Sequence, residues 1–180
     1  MKYKVMIVED QTMPRELFEL RVQASERFEL ALSIDNAALA DVYCLRFPVD
    51  LILMDVITRD GENGLDAAAR IKRAFPQIKI IIVTSMPECS YLKRAKEIGV
   101  ESFWYKEEQR ESLLDVMERT MNGESVYPGA SPELTLGMAS SCQFTERELD
   151  ILREITSGDT NQEIADRLNM SVATVKTHIL

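Results

Sequence analysis

Five short aliphatic runs punctuate the first two-thirds of the chain, and each is followed by a segment with helical spacing. The runs are Val5–Val8, Leu30–Ile34, Leu51–Met54, Ile78–Val83 and Ser102–Tyr105. They lack the strict apolar–polar alternation of a half-solvated strand, so both faces of each are expected to be covered, as in a parallel sheet. Between them, apolar residues recur three and four apart: Leu17, Leu20 and Ala24; then Leu65, Ala68, Ala69 and Ile71; then Leu113, Leu114, Met117 and Met121. Ala38–Phe47 and Tyr91–Ile98 supply two further helices. A strand–helix repeat of this kind predicts an α/β fold, a (βα)5 doubly wound parallel sheet with helices on both faces.

Composition excludes several classes. With 180 residues, 46% hydrophobic and 28% charged, the chain is too apolar for a disordered tail and long enough for more than one domain. No apolar run reaches the roughly 18–20 residues of a membrane span, and the N-terminus carries no signal-peptide pattern. Cys44, Cys89 and Cys142 are odd in number and have neither a CxxC nor a Cys/His spacing, which argues against a zinc finger or a disulfide framework. A cytoplasmic protein is expected. The formal net charge of −9 points at first away from nucleic acid.

The texture changes after Met121. Residues 122–143 are rich in glycine, proline and serine and read as a linker. From Phe144 helical signals return, with capping boxes at Thr145–Glu148 and Thr160–Glu163, a stop at Gly158, and Ser171 capping a third helix that is still running at Leu180. The division expected is 1–121, 122–143 and 144–180, the last a small all-α domain.

In a doubly wound sheet, ligands sit outside the carboxyl ends of the strands, where strand order reverses. Glu9 and Asp10 follow the first run, Asp55 the third, Thr84 and Ser85 the fourth, and Lys106 the fifth. With strand order 2-1-3-4-5 the first and third strands are neighbours, and three carboxylates converge. Like charges about 4 Å apart repel by roughly 1 to 4 kcal/mol depending on the local dielectric, so the cluster needs a cation. An all-oxygen site with room for water suits Mg²⁺. Asp55 is then a carboxylate nucleophile able to form an aspartyl phosphate. Lys106 offsets phosphoryl charge and the Thr84 hydroxyl donates to a phosphoryl oxygen. Any one of these residues alone would be an ordinary loop residue; five of the right type at four strand ends are not.

Val-Glu-Asp at 8–10, Leu-Met-Asp at 53–55, Val-Thr-Ser at 83–85 and Tyr-Lys at 105–106 resemble the receiver domain of two-component response regulators, over about Lys2–Met121. The resemblance implies a flavodoxin-like sheet, Asp55 as phospho-acceptor, and Mg²⁺ held by Glu9, Asp10, Asp55 and the backbone carbonyl of Ile57. It also implies phosphoryl contacts from Thr84 and Lys106, Phe103 as the rotating switch aromatic, a sensor histidine kinase as donor, and a homodimer on phosphorylation. No enzymatic turnover is expected beyond self-dephosphorylation. Two departures stand out. Receivers usually carry Met-Pro soon after the acceptor and a glycine eight residues on, whereas here the proline is missing and Gly64 comes nine residues on. The loop after Asp55 is therefore expected to be longer and more mobile. A haloacid-dehalogenase-type phosphatase would need a second Asp two residues after the nucleophile, where Ile57 stands, and Glu9-Asp10-Gln11 would repel the phosphate of FMN.

On the last helix Val172, Val175 and Ile179 share one face, Thr177 lies opposite, and Lys176 sits at the border. Phe144–Leu152, Gly158, Asn161–Ala165 and Ser171–His178 resemble the LuxR/NarL-type helix-turn-helix, which implies DNA contacts from Thr174, Lys176, Thr177 and His178. Residues 123–180 hold four basic against nine acidic residues, where DNA-binding domains normally carry a basic stripe. In this family the recognition helix continues beyond the position of Leu180, so the domain is expected to be incomplete at its C-terminus and the 180-residue form to bind DNA poorly. The reading is a cytoplasmic transcription regulator controlled by phosphorylation of Asp55, with DNA and a histidine kinase as partners and no membrane. The alternative is a phosphorylation-independent regulator that uses the receiver surface for protein contacts.

Overall fold

The structure, a computed structural model, describes residues 2–86, 88–106, 112–129, 135–136, 139–140, 151, 154 and 160–179. It divides into two compact units, Met1–Ser131 and Pro132–Leu180.

In the first unit the strands are β1 (Tyr3–Val8), β2 (Phe28–Ile34), β3 (Leu51–Met54), β4 (Lys79–Thr84) and β5 (Ser102–Tyr105). The helices are α1 (Thr12–Ala24), α2 (Ala40–Arg46), α3 (Gly64–Ala74), α4 (Cys89–Ile98) and α5 (Leu113–Met121), with a 3-10 turn at Ala37–Leu39 leading into α2. The sheet is parallel throughout, in the order β2-β1-β3-β4-β5. This is the doubly wound (βα)5 sheet that the repeat predicts. Successive strand residues bury toward opposite faces, as a period of two requires. Met6, Ile52, Ile80 and Ile82 meet α2, α3 and α4 through Ala40, Leu65, Ile71 and Ala95. Val5, Ile7, Leu53 and Ile81 meet α1 and α5 through Phe18, Val22, Val116 and Met117.

Local chemistry sets the helix ends. Asn63 and Ser112 cap α3 and α5 by accepting from Leu65 N at 2.8 Å and Asp115 N at 3.2 Å. Gly99, at φ 83°, ends α4 in the left-handed conformation.

Two expectations need correction. The buried face of α1 is Phe18 and Val22, while Leu17 and Leu20, read as the core stripe, are 47% and 63% exposed. Two overlapping stripes share this helix, and the aromatic and β-branched pair is the one turned to the sheet. The first residues of the expected linker are also not free of the first unit, since Val126 and Tyr127 pack along β5.

In the second unit α6 (Asn161–Arg167) and α7 (Val172–Ile179) are joined by a tight turn with Asn169 at φ 51°. Thr160 and Glu163 form the predicted capping box, with Thr160 N on Glu163 Oε2 at 2.8 Å. Ile151, Ile164, Ala165 and Val175 are buried together, with Leu168, Met170 and Val172 against them. Two-residue strands β6 (Thr135–Leu136) and β7 (Ala139–Ser140) pair antiparallel. The expected capping box at Thr145–Glu148 and the stop at Gly158 lie outside the described residues.

Candidate functional site

The parallel ladder brings Val8 opposite Met54, so the residues that follow each strand meet at the same edge. The Asp55 amide donates to Val8 O at 2.9 Å, which extends the pairing by one step and brings Asp55 beside Glu9. Carboxylate oxygens of Glu9, Asp10 and Asp55 lie within 4.8 Å of one another. Glu9 and Asp55 are buried, at 1% and 6% exposure, and Asp10 is half-buried. On the next pair of strands, Lys106 N donates to Thr84 O at 3.0 Å and so continues β5 past its last ladder residue. From there the Lys106 ammonium reaches Glu9 Oε2 at 2.6 Å and Asp55 Oδ2 at 2.8 Å.

These contacts leave the site short of positive charge. Among the described residues one ammonium reaches two of the three carboxylates, the Arg15 guanidinium donates only to the Glu9 backbone oxygen, and no hydrogen bond reaches the Asp10 carboxylate. Burial, reinforced by the Asp55 charge, pushes Glu9 up to about 7. Burial also raises Asp55 above its ordinary value, although Lys106 and the Val56 amide, 2.7 Å from Oδ1, pull the other way. For Lys106 burial works against the charge, but Asp55 and Glu9 outweigh it and hold the ammonium above its ordinary value. A hard cation with oxygen ligands would relieve the imbalance, and this donor set fits Mg²⁺.

The loop after Asp55 differs from its expectation. Ile57 and Asn63 form an isolated antiparallel bridge, closed by Thr58 N on Glu62 O at 3.0 Å and Gly64 N on Val56 O at 2.7 Å. Both bonds join the neighbours of the pair, so the Ile57 carbonyl is left out of the bridge and free for another donor or a cation. The extra residue is absorbed in a tight turn where Asp60 and Gly61 take φ of 63° and 74°. The whole loop is tied to the end of β2. Buried Thr58 donates to Glu62 O and accepts from Ala37 N, each at 3.0 Å, while Arg59 N donates to Asp35 O and Asn36 Nδ2 to Arg59 O, each at 3.2 Å. The sequence predicts a longer, more mobile loop; the length is there, but these bonds restrain it.

Thr84 is fully buried, and its hydroxyl accepts from Met86 N at 3.1 Å rather than meeting Asp55. Phe103 already points into the core at 2% exposure, its ring 5.1 Å from Tyr105 and 6.4 Å from Tyr127. In the second unit, α7 turns Val175 inward and leaves Thr174, Lys176 and Thr177 exposed. The Thr177 hydroxyl donates to Ala173 O at 2.9 Å and that of Thr174 bonds Ser171 at 2.7 Å. His178 lies on α7, and its side chain is outside the described residues. Sequence reasoning missed Thr58, Ser102 and Tyr127. For Tyr127 a signal existed in the Val126-Tyr127 pair, a β-branched residue and an aromatic inside an otherwise loop-like stretch.

Comparison with known proteins gives two family matches: the response regulator receiver domain over residues 5–118, and the luxR family of bacterial regulatory proteins over residues 142–180. The response regulator protein VraR of Staphylococcus epidermidis is 33% identical over 187 residues, covering 99% of this chain and 88% of that protein. A structure of two RcsB dimers bound to two parallel DNAs has a TM-score of 0.65 at 17% identity, covering 99% of this chain and 88% of that one. The isolated receiver domain of RcsB from Salmonella enterica serovar Typhimurium, solved with the phosphomimetic BeF3⁻, has a TM-score of 0.65 at 15% identity, covering 72% and 95%.

Proposed function

The chain belongs to the response regulators that join a receiver domain to a LuxR-type DNA-binding domain, and on that premise we propose that Asp55 accepts a phosphoryl group from a sensor histidine kinase and thereby controls DNA binding by the second unit. The observation that carries this reading is the convergence of Glu9, Asp10 and Asp55 with one ammonium, Lys106, on two of the three.

The chemistry follows from the groups present. One Asp55 carboxylate oxygen attacks phosphorus, the phosphorus–nitrogen bond of a phosphohistidine breaks, and the electron pair leaves on the imidazole. The Val56 amide on Oδ1 fixes the carboxylate plane for that attack. Glu9, Asp10, Asp55 and the Ile57 carbonyl would hold Mg²⁺, which supplies charge stabilisation for the transferring oxygens when bound. Lys106 is already at Asp55 Oδ2 and offsets the charge of a phosphoryl oxygen arriving there. Thr84 accepts from Met86 N, a bond that leaves its own proton free to donate to the phosphoryl group. The chain is a stoichiometric acceptor, with at most self-dephosphorylation.

In the second unit, Thr174, Lys176 and Thr177 form the outer face of α7 that would enter a major groove. With its hydroxyl proton engaged on Ala173 O, Thr177 offers lone pairs and a methyl group, and Lys176 offers the charge. Among the described residues no helix is long and apolar enough to cross a membrane, and action on DNA belongs in the cytoplasm.

Incubation with a small-molecule acyl phosphate and Mg²⁺, followed by intact mass, tests the acceptor. The expected outcome is one phospho-adduct on the native chain and none on Asp55→Asn. An adduct of equal extent on the variant would overturn the assignment. No adduct on either protein, from this donor or from a kinase, would favour the phosphorylation-independent alternative.

A further inference from the structure

β5 ends the sheet, and the open edge of a terminal strand presents unpaired backbone groups. Here that edge is occupied. Phe103 N donates to Val126 O at 2.8 Å, and Val126 N donates back to Ser102 Oγ at 3.1 Å. The Ser102 hydroxyl is fully buried and lies 2.7 Å from the hydroxyl of Thr120, which is fully buried too. Thr120 spends its single proton on Val116 O at 2.6 Å, so Ser102 must be the donor between the two hydroxyls. A directed chain results, from the Val126 amide through Ser102 and Thr120 to the backbone of α5. Each bond in such a chain polarises the next.

Tyr127 completes the attachment. Its hydroxyl donates to Val100 O at 2.7 Å, its ring lies 6.4 Å from that of Phe103, and the Lys96 ammonium of α4 sits 5.0 Å from the ring centre. Burial, with the charge of Glu101 adding to it, raises the pKa of this phenol above its ordinary range, so the donor stays protonated. Backbone pairing along a strand edge combined with one side chain in a pocket is how folded domains bind extended peptides.

We infer that Val126 and Tyr127 form a strap bound in cis by the open edge of β5, by Val100 and by α4, and that the state of the Asp55 site sets how tightly this strap is held. The second half rests on the phosphoryl-acceptor reading; the first does not. The link runs through register. Phe103 pairs with Ile82 and Tyr105 with Thr84, so Thr84 is the strand neighbour of Tyr105, whose ring lies 5.1 Å from that of Phe103 in the cluster that Tyr127 caps. When Thr84 turns from Met86 N toward a phosphoryl oxygen, the rings of Phe103 and Tyr105 repack into the space it leaves. Tyr127 is half-buried and at the rim of that cluster, so its ring is the one that gives way.

Amide hydrogen exchange on the full 180-residue chain tests both halves. Tyr127→Ala should accelerate exchange at Phe103 and Val126 by about tenfold, the scale of one or two lost hydrogen bonds. Val5–Val8 and Leu51–Met54 should keep their rates, which separates strap release from general destabilisation. Tyr127→Phe, which keeps the ring and loses the bond to Val100, should fall between. Unchanged rates in Tyr127→Ala would overturn the strap. Beryllofluoride with Mg²⁺, its binding followed by the fluorine resonance, should accelerate the same two amides in the native chain. Unchanged or slower exchange with the fluoride bound would overturn the link and leave the acceptor reading standing. Absence of a bound resonance would overturn the acceptor reading and the link together, and the strap would then be decided by Tyr127→Ala alone.

Discussion

At the scale of single residues, the site is held by an unequal charge balance, and its members respond to substitution in opposite directions. Asp10 adds a third negative charge within 4.8 Å of two buried carboxylates, and no described hydrogen bond depends on it. Asp10→Asn should therefore stabilise the metal-free protein, by about 0.5–1 kcal/mol for one partly solvated repulsion. Lys106→Met should destabilise by about 3–5 kcal/mol, because it removes the one cation paired with the buried Glu9 and Asp55 carboxylates among the described residues. Urea denaturation without Mg²⁺ reads both signs, and a loss of stability in Asp10→Asn would refute the imbalance. Adding Mg²⁺ should then stabilise the native chain more than Asp10→Asn. The residues of this cluster were legible in the sequence because strand ends in a parallel sheet have a fixed destination, so type and position alone bring Glu9, Asp10, Asp55 and Lys106 together. Thr58 was not legible. Its role depends on Ala37, 21 positions away, and nothing in a threonine beside an exposed isoleucine points there.

At the scale of elements, the connection between β3 and α3 is set by one close approach. A Cβ on Gly64 would fall well inside contact distance of the Asp55 carbonyl oxygen, and that neighbour is backbone, which cannot rotate away. Gly61, by contrast, has open space around it but a φ of 74°. Gly64→Ala should cost about 3 kcal/mol or more and weaken Mg²⁺ binding, since the residue displaced is the acceptor itself. Gly61→Ala should cost about 1–2 kcal/mol from backbone strain alone and spare the metal. Denaturation and Mg²⁺ titration of the pair check the order; equal losses would mean that turn strain, not the approach to Asp55, governs the loop. The strands themselves were readable because burial on both faces leaves unbroken aliphatic runs. The face of α1 was misread because Leu17 and Leu20 keep helical spacing while lying in solvent. The strap was hidden because the glycine, proline and serine around it dominate the local composition, and only tertiary pairing with β5 distinguishes Val126 and Tyr127 from their neighbours.

At the scale of the whole molecule, an acidic chain carries a domain whose relatives bind DNA. Such binding draws most of its affinity from released counterions, and with few basic residues in the second unit each one counts. Lys176→Ala should weaken binding about equally on unrelated duplexes and lower the slope of log affinity against log salt by about one. Fluorescence anisotropy over a salt series measures this; an unchanged slope would exclude Lys176 from phosphate contact, and a loss confined to one base pair would place it on a base. The strap also bears on the chain between the two units. While Val126 is bonded to Phe103 and Tyr127 to Val100, these two residues are held on the first unit. Their release adds two residues, about 7 Å of reach when extended. A phosphorylation event is then converted into tether length, which alters the local concentration at which one DNA-binding unit meets a second unit or a half-site without any new contact having to form.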